Sequence, residues 1–395
     1  MVKNIQSVIN GVNICVDYKV ELIGILITLS DESSIEQFKI LFEFDKNNDE
    51  YVRTIKNTFS YLKQNGFIDE FNKIKNKYYL HYQEPIELML MLDENFNTDI
   101  LEEFLGYKPE QDFYDFINNL KEFSQDPIFI NFYNDNIDRY KSWIESLIPF
   151  YKKFNMSDIL SKYCGEKYKN LKLYNNLIAF ETSGGYGIDV DNNIHYCTRA
   201  NSCRLTKDNL LFSSFDDESY LKLTTHEFLH GIVNPITEKF GVFTQESNYL
   251  IKLEKLNSCG YSTDESLINE TIVRTITMRI CSQFIKDYDI NNLLNKLYDF
   301  GFTYIKGIYE LMIEYENNRE IYPNIDSIYE KIIKVVIMQK TSNWSDVFSF
   351  DLRVLGIIPI YRICGSTNSV LASPWLDRKL VLIFYFFSII FICIW

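Results

Sequence analysis

The chain has 395 residues, 46% of them hydrophobic, which is enough to bury one large core or two smaller ones. Its 40 basic and 54 acidic residues give a formal net charge of −14. This balance argues against a nucleic-acid partner, because general nucleic-acid binders neutralise phosphates with lysine and arginine.

Eight cysteines are spread along the chain, and no two of them form a Cys-x-x-Cys pair. This spacing favours neither a thiolate zinc site nor a compact disulfide framework, so we expect reduced thiols. Residues 1–6 lack the basic segment and the apolar run with which a secretion signal begins. Together these features predict a cytoplasmic protein.

Residues 1–165 are predicted to be mostly helical. Apolar runs at 20–26 and 86–92 are typical of buried helices, and large apolar residues recur near a 3.6-residue period over 132–154. We interpret this region as scaffold.

From Leu171 to Phe212 the pattern changes to alternating apolar and polar residues, and turn-forming residues interrupt it at 183–185 and 191–193. Two or three antiparallel strands joined as hairpins are predicted. Helical signals return at residue 215 and continue, with loops, to residue 339. The predicted fold class is therefore α+β, with a small antiparallel sheet between helical parts.

Two of the four histidines lie in the pentapeptide His226-Glu227-Phe228-Leu229-His230. On a helix these two rings lie one turn apart on one face, as two imidazoles must to bind one zinc ion at about 2.0–2.1 Å. Glu227, rotated by about 100°, can then act as general base on water held by the metal. Acidic residues before the motif and Asn234-Pro235 after it predict the two ends of a helix. The alternative is two surface histidines on an ordinary helix.

A catalytic zinc site needs a third protein ligand, and His81 and His195 are the only other imidazoles. Residues 262–285 supply carboxylates on a predicted helix that begins with a capping box at 262–265. Glu270 lies in an apolar stretch, where a buried carboxylate is costly unless it is paired or bound to metal. We therefore expect Glu270 to be the third ligand, with Glu265 as its competitor.

Glu270 also has a simpler interpretation, an i,i+4 salt bridge with Arg274. The two roles are compatible, because Arg274 can orient the ligating carboxylate or the Glu227 side chain from outside the ligand set.

Residues 226–235, HEFLHGIVNP, resemble the HEFxHxFVNP core of an uncharacterised bacterial family of predicted zinc metallopeptidases. Residues 269–275 resemble its second motif, a glutamate followed four residues later by an arginine, and 16–22 resemble its N-terminal signature. This resemblance implies a gluzincin-like zincin fold, zinc ligands His226, His230 and Glu270, and Glu227 as catalytic base. Ile232 replaces a phenylalanine of the family pattern, and residues 237–260 are expected to form an inserted loop.

The resemblance also implies an edge strand ahead of the metal helix that binds an extended peptide or protein substrate as an additional strand. An oxyanion-stabilising donor is expected as well, for which His195 is a candidate and a structural role is the alternative. We therefore predict zinc-dependent hydrolysis of peptide bonds. The competing hypothesis is a catalytically inactive zinc-binding or membrane-tethered scaffold protein.

Residues Leu380–Trp395 form an apolar run preceded by Arg378-Lys379. As a helix this run would span about 24 Å, less than the roughly 30 Å hydrocarbon core of a bilayer. It predicts either a membrane anchor, a C-terminal core element or a frameshifted end. As an anchor it would tether the protein to the inner face of the cytoplasmic membrane, because the basic pair stays inside.

The chain is accordingly divided into four parts. These are a helical region 1–165, a zincin-like region 166–364 expected to be continuous with it, a linker 365–375 and the apolar tail 376–395.

Overall fold

A computed structural model of the chain describes residues 2–30, 50–80, 84–168, 170–175, 185–190, 193–198, 203–205, 211–213, 216–240 and 264–336. All of them belong to the first of two units, Met1–Val336; the second unit is Ile337–Trp395. His81, the capping-box residues 262–263, most of the predicted inserted loop, the linker and the apolar tail lie outside the described residues. Among the described helices, none combines the length and the apolar character needed to cross a bilayer.

A five-stranded sheet supports the helices. Its strands are β1 (Ile5–Ile9), β2 (Val12–Val16), β3 (Leu171–Asn175), β4 (Gly185–Val190) and β5 (Asn193–Thr198), in the order β1-β2-β3-β5-β4. The outer pairs β1–β2 and β4–β5 are antiparallel, whereas β2–β3 and β3–β5 are parallel. Two short strands, β6 (Cys203–Leu205) and β7 (Leu211–Ser213), form a separate antiparallel pair.

The main sheet is therefore mixed, and the prediction of an antiparallel sheet is wrong in this respect. The antiparallel hairpin of β4 and β5 is confirmed, but β3 joins β5 and β2 in parallel. Parallel neighbours require a long crossover, which the helices between β2 and β3 provide. Local alternation of apolar residues indicates strands but not their direction.

The N-terminal hairpin of β1 and β2 was not anticipated in a region predicted to be mostly helical. Asn10 and Gly11 connect the strands with φ values of 48° and 77°. Asn-Gly with positive φ at both positions is the preferred connection of a two-residue hairpin, because its twist matches that of the strands.

The described elements in the remainder of the N-terminal region are helices, as predicted. The helices are α1 (Tyr18–Leu29), α2 (Glu50–Thr58), α3 (Tyr61–Gln64), α4 (Phe67–Tyr78), α5 (Glu84–Met91), α6 (Leu101–Leu105), α7 (Gln111–Gln125), α8 (Pro127–Asp135), α9 (Ile137–Lys153) and α10 (Met156–Cys164). The apolar runs at 20–26 and 86–92 fall in α1 and α5, and the periodic stretch 132–154 falls in α8 and α9. α1 begins where the Asp17 carboxylate accepts hydrogen bonds from the backbone N–H groups of Lys19 and Val20.

The second half contains α11 (Asp217–Phe240), α12 (Asp264–Cys281), α13 (Ile290–Phe300), α14 (Ile305–Asn317) and a further helix over 325–336. The prediction that Asn234-Pro235 ends the motif helix is wrong, because α11 continues through Pro235 to Phe240. Proline removes one backbone hydrogen bond and its ring crowds the preceding turn, but a helix held by tertiary packing can continue beyond it. Thr237, on the turn that follows the proline, is buried.

Helix α11 occupies the centre of this half. It packs against β4 and β5 on one side and against α12 on another, and α12 in turn packs against α14. Leu221, Phe228, Leu229 and Val233 of α11 are fully buried. The helix that carries the histidine motif is thus held between the sheet and a second helix.

Candidate metal centre

The two helices that meet at the centre of this half carry the predicted site residues. α11 contributes His226, Glu227 and His230, and α12 contributes Glu270 and Arg274. The predicted start of α11 is confirmed, since Asp216 accepts a hydrogen bond of 2.8 Å from the backbone N–H of Ser219. Acidic residues in the first turn also suit the positive end of the helix dipole.

The metal-binding atoms of three side chains, His226, His230 and Glu270, converge. The two histidine Nε2 atoms are 3.1 Å apart. Glu270 Oε1 lies 3.5 Å from Nε2 of His226, and Glu270 Oε2 lies 3.3 Å from Nε2 of His230. The side chains are 17%, 16% and 6% exposed, respectively, so the two rings retain an edge open to solvent while the carboxylate is buried.

These distances fit a zinc ion. Tetrahedral zinc with nitrogen and oxygen ligands at about 2.0–2.1 Å separates its ligand atoms by about 3.3 Å. The donor set of two imidazoles and one carboxylate is also one that zinc commonly takes in catalytic sites, where a fourth position is left for water or substrate.

The ring of His230 is oriented by Asn234, one turn further along α11. His230 Nδ1 lies 3.3 Å from Asn234 Oδ1. When Nδ1 carries the proton and its N–H donates a hydrogen bond to this oxygen, Nε2 presents its lone pair to the point where the ligand atoms meet. Sequence reasoning interpreted Asn234 only as part of a helix stop and missed this contact.

The charges around Glu270 favour its ionised form. Burial alone would raise the pKa of this carboxyl, but the Arg274 guanidinium and the two imidazoles hold it well below its usual range. Burial lowers the pKa of His226. At His230 burial acts in the same direction, but the hydrogen bond and charge of Glu270 outweigh it and raise the pKa. A carboxylate ionised at neutral pH is the form that binds a metal cation.

Arg274 contacts the proposed ligand directly. Its Nη2 lies 2.6 Å from Glu270 Oε1, and its guanidinium carbon lies 5.1 Å from the centre of the Phe302 ring. The i,i+4 salt bridge and the approach of Glu270 to the histidines therefore occur in the same structure. Phe302, which precedes α14 and was not singled out in the sequence, stacks on the arginine.

Glu265, the competing ligand, lies elsewhere on α12. It is partly exposed, and burial together with the nearby charge of Glu238 raises its pKa. The contacts to the two histidines come from Glu270. The structure thus brings Glu270, and not Glu265, together with the histidine pair.

Glu227 is buried next to the donor atoms. One ligand atom from each of His226, Glu227 and His230 lies within 4.8 Å of the other two. Its position one residue after the first histidine therefore places a carboxylate beside the convergent nitrogens, where it can exchange a proton with a group bound there.

Strand β4 lies directly against the backbone of α11 at this point. A Cβ atom added to Gly187 would lie 1.7 Å from the carbonyl oxygen of Glu227 and 3.0 Å from the backbone N of Gly231. Only glycine allows so close an approach. Among the described strands β4 lies at one edge of the sheet, so this contact places it as an edge strand beside Glu227.

His195 is not brought together with the histidine pair. Gly187, which faces α11, pairs with position 196 of β5, and successive strand residues alternate between faces, so His195 lies on the opposite face. There its ring centre lies 5.3 Å from that of Tyr174. It is buried without a hydrogen-bond partner for either nitrogen among the described residues. Burial and the charge of Lys172 lower its pKa to about 3.

A family model described as "Domain of unknown function (DUF4932)" matches residues 100–335 of the chain. No curated protein and no solved structure matches the chain. The matched segment spans more than half of the 395 residues and contains both helices of the candidate metal centre. The chain therefore belongs to the DUF4932 family.

Proposed function

We propose that this protein is a zinc-dependent hydrolase of peptide bonds, in which His226, His230 and Glu270 bind the metal and Glu227 is the general base. The observation that carries the proposal is the convergence of three side chains, whose nitrogen and oxygen atoms approach one another to 3.1–3.5 Å, with a second buried carboxylate, that of Glu227, beside them. Zinc, when bound, supplies Lewis-acid activation of water and of a substrate carbonyl group.

Glu227 has the position required of a proton carrier. It is next to the metal-binding histidines, and its backbone is fixed by the contact with Gly187. In peptide hydrolysis its carboxylate would accept a proton from the attacking water and deliver it to the leaving amine. Proton transfer of this kind contributes about 100- to 10,000-fold to a reaction rate.

Arg274 and Asn234 would act on the ligands instead of on the substrate. Arg274 binds Glu270 Oε1, and Asn234 Oδ1 faces His230 Nδ1. Such contacts fix the orientation of a ligand and, for histidine, the nitrogen that carries the proton. The resemblance of both motifs to predicted zinc metallopeptidases supports a gluzincin-like arrangement.

The edge position of β4 supports an extended peptide as the substrate. In the order of the described strands β4 has β5 on one side, and Gly187 brings it against α11 at Glu227. An edge strand can add a peptide through main-chain hydrogen bonds, which bind without regard to side-chain sequence. A peptide held there would run past the proposed general base.

The proposal is tested by metal analysis and a peptide assay on the purified full-length chain. We expect about one zinc per chain, and cleavage of a complex peptide mixture that is lost on chelation and restored by zinc. Replacing both His226 and His230 by Ala should remove zinc and cleavage together, while circular dichroism still reports the helical fold. A wild-type chain without zinc would refute the proposal. Bound zinc without cleavage would favour the inactive zinc-binding alternative.

A further inference from the structure

A buried polar cluster joins α11, α12 and the 325–336 helix. It consists of Thr237, Asn269 and Tyr329, and we call it the Thr237 cluster. All three side chains are buried. Polar groups in a core are costly unless they are hydrogen-bonded to one another, so their presence here calls for a reason.

The hydroxyl group of Thr237 is the centre of the cluster. It contacts both Asn269 Oδ1 and the Tyr329 hydroxyl at hydrogen-bonding distance. The carbonyl oxygen of Val233 lies 3.2 Å from Thr237 Oγ1 and 3.4 Å from the Tyr329 hydroxyl. In one assignment that uses each hydrogen once, Tyr329 donates to Thr237 and Thr237 donates to Asn269.

The cluster is linked in sequence to the proposed zinc ligands on both helices. Thr237 follows His230 by seven residues, which is two helical turns, so both lie on the same side of α11. Asn269 immediately precedes Glu270 on α12. The hydrogen bond between Thr237 and Asn269 therefore spans the same helix pair that brings Glu270 to the histidines.

The proposed site depends on how α11 and α12 are aligned along their axes. A slip of one residue changes the alignment by about 1.5 Å, and a slip of one turn changes it by about 5.4 Å. The separations between the ligand atoms of His226, His230 and Glu270 range only from 3.1 to 3.5 Å, so either shift is larger than this range. Apolar packing tolerates alternative alignments, whereas a buried hydrogen bond is satisfied in only one.

We infer that the Thr237 cluster is a positioning device that fixes the alignment of α11 and α12 and thereby holds Glu270 against His226 and His230. Thr237, Asn269 and Tyr329 are positioning residues and touch neither metal nor substrate. The inference rests on the proposed function, since the alignment matters most if His226, His230 and Glu270 bind zinc.

The test compares substitutions that remove one hydroxyl group. Thr237→Val keeps the shape of the side chain and removes its hydroxyl, and Thr237→Ser restores the hydroxyl. Tyr329→Phe removes the second hydroxyl. The matched control is Tyr133→Phe, because Tyr133 is also buried and donates to a backbone carbonyl, that of Val16 at 3.0 Å, outside the two helices of the centre.

Zinc affinity is measured by chelator competition, ligand geometry by the visible spectrum of the Co²⁺-substituted protein, and stability by urea unfolding. We expect Thr237→Val and Tyr329→Phe to weaken zinc binding about tenfold or more and to alter the Co²⁺ spectrum. Thr237→Ser should retain nearly the wild-type affinity and spectrum. Tyr133→Phe should lose stability and leave both readouts unchanged.

Wild-type zinc affinity and an unchanged Co²⁺ spectrum in both Thr237→Val and Tyr329→Phe would overturn the inference.

If the wild-type chain binds no zinc, the proposed function fails, and crystal structures of the metal-free wild type and Thr237→Val then decide whether the Thr237 cluster positions Glu270. A displacement of the Glu270 carboxylate from His230 in the variant would support the positioning role. An unchanged distance would refute it.

Discussion

Arg274 and His230 contact opposite oxygens of one carboxylate. Arg274 Nη2 lies 2.6 Å from Oε1 of Glu270, and His230 Nε2 lies 3.3 Å from Oε2. The arginine thus limits the rotation of the carboxylate that approaches the histidines. A single turn of α12 supplies both the proposed ligand and the group that holds it.

Replacing Arg274 should therefore weaken the metal centre without removing a ligand. Arg274→Met is expected to lower zinc affinity about 10- to 100-fold, because the Glu270 carboxylate loses its contact with the guanidinium group of Arg274. Arg274→Lys should lie between this variant and the wild type, since lysine keeps the charge but not the planar donor geometry. Chelator competition measures both affinities.

Arg279→Met is the matched control, because Arg279 lies on the same helix and pairs with Glu316 outside the centre. It should reduce stability and leave zinc affinity unchanged. Equal zinc affinities in Arg274→Met and Arg279→Met would contradict the role given to Arg274.

The choice between Glu270 and Glu265 as the third ligand can be tested directly. Glu270→Ala is expected to abolish tight zinc binding, because the third donor disappears and Arg274 is left without this partner. Glu265→Ala should bind zinc as the wild type does. Metal content after gel filtration distinguishes them, and the reverse result would transfer the ligand role to Glu265.

Glu227→Gln separates metal binding from catalysis. The amide has nearly the same shape but cannot accept the proton, so zinc content should be preserved and the kcat of peptide cleavage should fall at least about 100-fold. Glu238→Gln, an exposed position on the same helix, is the control and should keep full activity. A cleavage rate near that of the wild type in Glu227→Gln would remove the general-base assignment.

The contact between β4 and α11 should not tolerate a side chain. In Gly187→Ala the new Cβ would overlap the Glu227 carbonyl oxygen, so either the strand or the helix must move. We expect a loss of about 1–3 kcal/mol in unfolding free energy, as for other overpacked sites, and a marked loss of cleavage.

Gly66→Ala provides the comparison for this prediction. Its Cβ would meet no atom within 4 Å, although φ is +83° there. This variant should lose stability through backbone strain alone and retain its activity. Urea unfolding and the peptide assay test both variants, and full activity in Gly187→Ala would show that β4 can move without consequence.

The buried imidazole of His195 predicts acid sensitivity. Its pKa is about 3 in the folded chain and about 6.5 in an unfolded one, so the unfolded state binds the extra proton as pH falls. The folded state therefore bears no penalty from His195 above about pH 6.5 and a growing penalty from there down to about pH 3.

Replacing His195 by Phe removes this titration. Between about pH 6 and pH 4 the unfolding free energy of the variant should fall less steeply than that of the wild type, by about 1.4 kcal/mol per pH unit. Urea unfolding at several pH values measures both slopes. Parallel slopes would mean that His195 takes up its proton over the same pH range in the folded and unfolded states.

The candidate site could be predicted from sequence because its signals are local. The spacing of His226 and His230 requires only a helix, and Glu270 stands out as a carboxylate in an apolar stretch. Each of these properties can be recognised within one helix. The structure brings them together across α11 and α12, as expected.

The features that were missed depend on contacts between distant segments. The parallel pairing of β3 with β2 joins residues more than 150 positions apart, and no local pattern indicates its direction. The role of Gly187 follows from a helix backbone that lies against it, and Thr237 matters only through Asn269 and Tyr329. Asn10-Gly11 is an exception, because this pair is itself a local hairpin signal and could have predicted the turn between β1 and β2.

The pairing of β2 with β3 has a consequence for the smallest fragment that can fold. The segment matched by the family begins at residue 100, yet β3 has its neighbour on that side at residues 12–15. A protein trimmed to 100–335 would leave β3 as an unpaired, apolar edge strand that could associate with other chains. Any truncated version intended for crystallisation or assay must therefore keep the first hairpin, although it lies far upstream of the residues that define the family.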